Sequence, residues 1–300
     1  MSRGAWAAFA VMAVVWGLPY LFMRVAVTEV SPVFVAWARL SIAAALLLPL
    51  ARIRGVLPTA RGRLGWVAVL GAFYMALAFT LLPLAERTLP SSLTAIVIAG
   101  VPIVVTIMSL PSERPSPPLI AGLALGLAGV AVLVGFDIGV RPAQLAALGA
   151  LAIVLVSYAG GPLLTRHKLG GVHPLATSSL AVGFAAVFLT PAVVFQFPAR
   201  MPTGPVLGSL LGLGVLCSAL ALVTWFYLIQ EAGPVRATIV PYVNPIVALF
   251  AGALVLHEVI GTGAVLGMVL IIGGSWLATT QPRLFARRRA AANTAESALR

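Results

Sequence analysis

Apolar residues run in blocks of about 20 along nearly the whole chain, with polar residues confined to short gaps between them. At a rise of 1.5 Å per residue, a helix needs about that many to cross roughly 30 Å of hydrocarbon. The blocks fall at 5–23, 33–50, 64–84, 91–110, 118–136, 144–164, 174–196, 206–228, 235–255 and 260–280. They predict ten membrane-spanning helices. Barrel strands would show short alternating segments instead, and these are absent from the pattern. The gaps are too short for a separate soluble domain. The first block lacks an evident small-residue cleavage site and runs directly into Arg24, so it reads as a retained span rather than a signal peptide.

The second half repeats the punctuation of the first. Glu113, Gly122 and Gly129 recur as Glu258, Gly267 and Gly274, and Arg24, Pro32 and Pro49 recur as Arg166, Pro174 and Pro191. The copies, 5–136 and 144–280, meet where Asp137, Gly139, Arg141 and Pro142 interrupt the apolar pattern. Five spans per copy is an odd number, so the two copies insert in opposite orientations. The predicted fold is therefore an all-α membrane protein with ten transmembrane helices as two inverted five-helix repeats. Secondary transporters commonly use this plan, with the substrate site between the repeats.

Composition agrees: 61% of residues are hydrophobic and 9% charged, against about 25% charged in soluble domains. Mean hydropathy is +1.09. The net charge of +12 does not form a nucleic-acid surface, because the basic residues sit at span ends. Arg52, Arg54, Arg61 and Arg63 crowd one loop, and Arg283, Arg287, Arg288 and Arg289 begin a basic tail, 281–300. Only Arg24, Arg87, Arg141 and Arg200 fall on the opposite side, which predicts both termini in the cytoplasm of a multi-pass cell-membrane protein. Cys217 is the one cysteine, inside span eight. No Cys/His spacing suits a metal, and no cofactor is expected. His167, His173 and His257 fall in loops.

Prolines inside spans come in corresponding pairs: Pro19 with Pro162, and Pro102 with Pro245, joined by Pro241. Each removes a backbone donor and frees a carbonyl four residues earlier. Interrupted helices at matching places in two halves point to a midplane site, so these five are candidate helix breaks and gates. Glycines four apart (Gly122 and Gly126, Gly208 and Gly212, Gly263 and Gly267) suit close helix contacts, or a dimer contact for spans five and ten. The remaining polar and aromatic residues within spans are candidate binding groups: Trp16 and Tyr20 on one face of span one, Tyr74, Tyr158 beside Ser157, Trp225, Tyr242 and Asn244. Asn244 must find a partner or water in hydrocarbon and is placed facing inward. Trp66, Trp276 and Trp37 read as interfacial anchors.

Arg39 lies inside span two, and its repeat partner is Ala181. Two readings are open: it reaches outward to Glu29, Glu86 or free carbonyls, or it binds a carboxylate or other anion. No acid lies in mid-span. Glu86 and Glu231 stand at the ends of spans three and eight and are the candidate coupling residues, acting from a vestibule if protons are coupled at all. The missing mid-span acid favours a facilitator or exchanger. It also removes the general base that a membrane-embedded enzyme would need, so the chain is not read as an enzyme.

Trp16-Gly17, Arg39, the mid-span prolines and the repeated Glu–Gly–Gly spacing together resemble the EamA family of the drug/metabolite transporter superfamily, over roughly residues 5–280. Tyr158-Ala159, where the family often has an aromatic–Gly pair, and Ala181 depart from its pattern in the second copy. The resemblance implies a central cavity lined mainly by spans one, three, four, six, eight and nine. It also implies export, or sometimes uptake, of small metabolites, amino acids or amphiphiles. The expected partners are a small-molecule substrate and the lipid bilayer, with no nucleic acid, for a monomer or homodimer. Rival readings are an amphiphile or lipid-linked sugar flippase of similar architecture, and a non-transporting scaffold or sensor subunit.

Overall fold

The computed structural model describes residues 2–109, 117–137, 142–232 and 240–279. Among them the chain is helical and has no strand. We label the helices α1 (Arg3–Ala26), α2 (Pro32–Ile53), α3 (Leu64–Ala85), α4 (Ser91–Ile98 and Val101–Ser109), α5 (Pro117–Asp137), α6 (Pro142–Lys168), α7 (Pro174–Val194), α8 (204–232), α9 (Val240–Val255) and α10 (Thr262–Thr279). By length and apolarity α1, α2, α3, α6, α7 and α8 can each cross a bilayer, and α4, α5, α9 and α10 carry shorter apolar stretches. The long-range repeat landmark Glu113, the basic tail and Arg141 lie outside the described residues, as do the side chains of Pro241 and Tyr242.

Local chemistry sets the helix starts. Before α2, the Ser31 hydroxyl accepts from the Phe34 N–H at 3.1 Å, and Pro32 stands at the first position, where its missing donor costs nothing. His173 and Pro174 open α7 in the same way, the His173 ring accepting from the Leu175 N–H at 3.2 Å. The prolines inside spans behave less uniformly than their spacing predicts. α1 is interrupted at Leu18, just before Pro19, and α4 at Ala99–Gly100, just before Pro102. Pro162 and Pro245 lie within uninterrupted helices, and Pro241 is the second residue of α9. A proline costs a helix only the bond to the carbonyl four residues earlier. Among the described residues the helices carrying Pro162 and Pro245 absorb that loss without breaking, so the expected symmetry of broken helices is not found there.

The packing exchanges helices between the halves. α1 lies against α8 and α9, and α6 lies against α3 and α4; α2 pairs with α7, and α5 with α10. Glycine governs the last pair: a Cβ on Gly274 would stand 2.5 Å from the Gly126 nitrogen and 2.6 Å from the Gly122 carbonyl oxygen, so the two backbones touch. Gly212 packs against the Phe22 ring, whereas a Cβ at Gly208 would meet nothing within 4 Å, which removes Gly208 from the expected contacts. The shared interior holds Met23, Leu82, Ile96, Leu151, Leu213 and Ile271, from six helices. Leu211, Val187, Phe250 and Val269 face outward, as a lipid solvent requires.

Turns gather at two ends. At one, the Thr203 N–H and hydroxyl donate to Glu29, Arg24 donates to the Glu86 carbonyl, and Ser91 and Ser92 donate to Glu258. At the other, Arg63 donates to the Lys168 carbonyl and the His173 N–H donates to Thr59. α1 thus finishes at the first end and its sequence equivalent α6 at the second.

Candidate functional site

Two helices contain a π-helical segment, Gly71–Leu77 in α3 and Gly212–Leu220 in α8, at corresponding places in the two halves. A π turn carries an extra residue, loosens the backbone ladder and marks functional sites more often than ordinary helix does. Nothing in the apolar pattern announces these segments beyond a glycine at the start of each, Gly71 and Gly212.

Polar groups from the opposite half bind the loosened carbonyls. The Ser157 hydroxyl on α6 donates to the Phe73 carbonyl at 2.5 Å. Arg39 on α2 donates through Nη2 to the Cys217 carbonyl at 3.3 Å and through Nε to the Ser218 hydroxyl at 2.8 Å. Ser218 in turn donates to the Leu213 carbonyl at 2.8 Å, five residues back. The Arg39 guanidinium also covers the Phe79 ring at 4.0 Å. Arg39 is 6% exposed. Of the two sequence readings, the reach toward Glu29 or Glu86 is corrected: its acceptors are a freed carbonyl and a serine, because the π turn supplies them at the same depth. Two of its five N–H donors are spent on these bonds.

Other predicted groups collect around it. Tyr20, Tyr158, Cys217 and Glu86 lie within electrostatic reach of Arg39, and so does Tyr74. Tyr74 and Tyr158 form a ring pair at 5.4 Å, and Trp16 and Trp225 another at 4.9 Å. None of Trp16, Tyr20, Tyr74, Tyr158 or Trp225 stands on an exposed outer face. Asn244 is half-buried, and its side-chain oxygen has no hydrogen-bond partner. Its backbone closes on Gly17, where a Cβ would stand 3.2 Å from the Asn244 carbonyl oxygen and 2.5 Å from Val247. Gly161 meets the Tyr74 ring just as closely. Trp66 and Trp276 are exposed, at 42% and 59%, as anchors at an interface would be.

The two candidate coupling acids part company. Glu231 is exposed and accepts from the Ser2 hydroxyl at 3.2 Å. Glu86 is fully buried and neither of its carboxylate oxygens has a partner, so the vestibule expected for it is corrected. Sequence reasoning also missed what Glu258 does: it accepts from the N–H and hydroxyl of both Ser91 and Ser92, at 2.8 to 3.2 Å, and so closes the N-terminus of α4. His257, in the left-handed region at φ 54°, makes the turn that aims it. Two open clefts lie at this end, one of about 430 Å³ at Arg24, Arg87 and Glu258 and one of about 440 Å³ at Glu29 and Arg200.

The apolar helices enclose a buried arginine, paired aromatics and freed carbonyls, the interior of a multi-pass membrane protein. The model of the EamA-like transporter family matches residues 3–135 and again 145–280. The chain belongs to that family of multi-pass integral membrane proteins. It is 24% identical over 282 residues to an uncharacterized transporter of Archaeoglobus fulgidus, covering 91% of this chain and 97% of that one. It is 28% identical over 248 residues to YedA, an uncharacterized inner membrane transporter of Escherichia coli, covering 80% and 78%. It is also 28% identical over 301 residues to a protein of Streptantibioticus cattleyicolor named a probable terminal-alkyne amino-acid exporter, covering 97% of each. A solved crystal structure superposes with a TM-score of 0.66 over 96% of this chain and 99% of that one, at 21% identity, a likeness of fold.

Proposed function

We propose that this transporter carries a small organic solute bearing a carboxylate and an apolar part, by alternating access between two inverted five-helix repeats. The observation that carries the reading is Arg39: a buried guanidinium whose acceptors are all neutral, among aromatic rings from both halves. A buried cation with no carboxylate in hydrogen-bond contact is costly, and an anionic solute would supply that contact. Tyr20, Tyr74, Tyr158, Trp16 and Trp225, with Asn244 and Tyr242, would take the apolar and polar remainder. The exchanged packing of the halves and the opposed courses of α1 and α6 support the inverted arrangement. Positive-inside charge supports cytoplasmic termini.

The name of the Streptantibioticus relative makes amino acids the first solutes to try. Purified protein in liposomes preloaded with an alkynyl amino acid, then with a panel of common ones, is assayed by counterflow. Wild type is expected to exchange at least one of them, Arg39→Ala to lose that exchange, and Asn244→Ala to weaken solute affinity. Exchange with the same affinity in both variants would remove the two side chains from the site.

A further inference from the structure

Glu86 follows directly on the last residue of α3 and has no exposed surface, and neither carboxylate oxygen accepts a hydrogen bond. The titratable and charged groups that face it come from three elements. Arg24 of α1 donates its guanidinium to the Glu86 main-chain carbonyl and not to the carboxylate. Arg39 of α2 is spent on Ser218 and the Cys217 carbonyl. Tyr20 of α1 lies within electrostatic reach, as does Glu258 from the α9–α10 turn. Glu258 receives four hydrogen bonds at the N-terminus of α4, all from Ser91 and Ser92. A second carboxylate beside it, in a dry site with no donor, is doubly opposed: by desolvation and by like charge. Burial first, then Glu258, hold the Glu86 carboxyl well above the usual carboxylate range, against the pull of Arg24 and Arg39.

The open cleft of about 430 Å³ is lined by Arg24, Thr28, Arg87, Pro90 and Glu258; Arg87 follows Glu86 in the chain and Arg24 holds the Glu86 carbonyl. We propose that Glu86 is the proton-binding site of the transport cycle, protonated in the closed arrangement and releasing its proton when the α3–α4 turn parts from α1 and the α9–α10 turn. On release the O–H bond of Glu86 breaks, the proton passes to water in the cleft, and Arg24 and Arg87 neutralise the carboxylate left behind. Proton binding from this end then favours closure of this end. The inference rests on the carrier reading above and adds its coupling ion.

The test uses the full chain in lipid nanodiscs and needs no solute. An infrared difference spectrum between acid and alkaline pH is expected to show the C=O stretch of an un-ionised carboxylic acid bleaching as pH rises, absent in Glu86→Gln and displaced in Glu86→Asp. In parallel, Val27→Cys, buried in the cleft wall, reports opening of the cleft through its reaction with a membrane-impermeant maleimide between about pH 5 and about pH 9. Each rate is divided by that of the detergent-unfolded variant so that thiolate formation cancels, with Cys217 alone as background. Labelling is expected to rise several-fold with pH and to stay low and flat when Glu86→Gln is added. A flat wild-type profile, or the same rise and the same infrared band in Glu86→Gln, overturns the proposal; should Glu86→Gln not fold, the displacement in Glu86→Asp decides. A Glu86-dependent opening in a protein that exchanges no solute would leave the proton site standing and sink the carrier reading. Solute exchange with a pH-independent cleft would do the reverse.

Discussion

Gly274→Ala should loosen the α5–α10 pair by an amount the geometry sets. The added Cβ would stand 2.5 Å from the Gly126 nitrogen and 2.6 Å from the Gly122 carbonyl oxygen, and both neighbours are backbone, which cannot rotate away. Ordinary contact begins at 3.4 Å, so the helices must part locally by about 0.9 Å. A gap of about 0.5–1 Å forfeits a quarter to a half of each contact's attraction, itself about 0.1–0.2 kcal/mol. Over some tens of atom pairs the loss is about 2 kcal/mol. Alanine returns up to about 1 kcal/mol through its better helix propensity. Gly208→Ala supplies the control, because it earns the same propensity gain and meets nothing within 4 Å. The contrast between the two variants, about 2 kcal/mol, is therefore free of the propensity term. Equilibrium unfolding in mixed micelles with increasing denaturing detergent reads it directly. Equal stability of the two variants would refute the claim that backbone contact holds this pair together.

Three further outcomes follow from the same geometry. Arg39→Lys should lose solute exchange almost as fully as Arg39→Ala, since one ammonium cannot reach the Ser218 hydroxyl and the Cys217 carbonyl as the guanidinium fork does; counterflow rates check it. Gly252→Ala should destabilise the fold by about 1–3 kcal/mol, because its Cβ would stand 2.6 Å from Glu258 Oε2 and 3.0 Å from the Ser91 hydroxyl and would drive the cap off α4; the same unfolding titration measures it. Glu29 is held below its ordinary value of 4.5 by the Thr203 hydroxyl and then the Thr203 N–H. A depressed folded-state value means that the contact contributes fully above 4.5 and is lost as pH falls through the lower folded value. The protection factor of the Thr203 amide, its exchange rate taken against the intrinsic rate at each pH, should therefore fall on acidification in wild type and show no such fall in Glu29→Gln.

What the sequence disclosed and what it hid divide along physical lines. Lipid accepts only helices with internally satisfied backbones, so a crossing announces itself as an apolar block. The six described helices long and apolar enough to cross lie where blocks one, two, three, six, seven and eight do. Inward polar groups were legible for a similar reason: Arg39, Tyr20, Tyr74 and Tyr158 are too costly to leave in hydrocarbon and converge inside. For Arg39 the sequence offered acids, free carbonyls or a bound anion; which carbonyl it meets was hidden, because a π turn frees it and no side-chain pattern encodes that turn. Pro162 and Pro245 misled for the converse reason, since a proline marks a lost bond but leaves open whether the helix breaks. Glu86 was taken as an end-of-span acid in a vestibule, and only the packing of α1, α2 and the α9–α10 turn over it makes it dry.

The broken symmetry at Arg39 has a mechanical sense under the carrier reading. On the side of its counterpart Ala181, the chain closes backbone to backbone: a Cβ on Gly71, where the α3 π segment begins, would stand 2.6 Å from the Ala181 carbonyl oxygen. That contact is fixed by sterics and offers a solute nothing to displace. On the other side the α8 π segment is held by the Arg39 guanidinium, through one hydroxyl and one carbonyl, both neutral acceptors. A carboxylate is the stronger acceptor for a guanidinium, so under that reading an anionic solute would compete for Arg39 and would free the α8 segment as it binds. A ligand moves a conformational equilibrium only by binding the two states unequally. Arg39 supplies that inequality in one half, while the Gly71–Ala181 contact keeps the other half rigid enough for the movement to be transmitted.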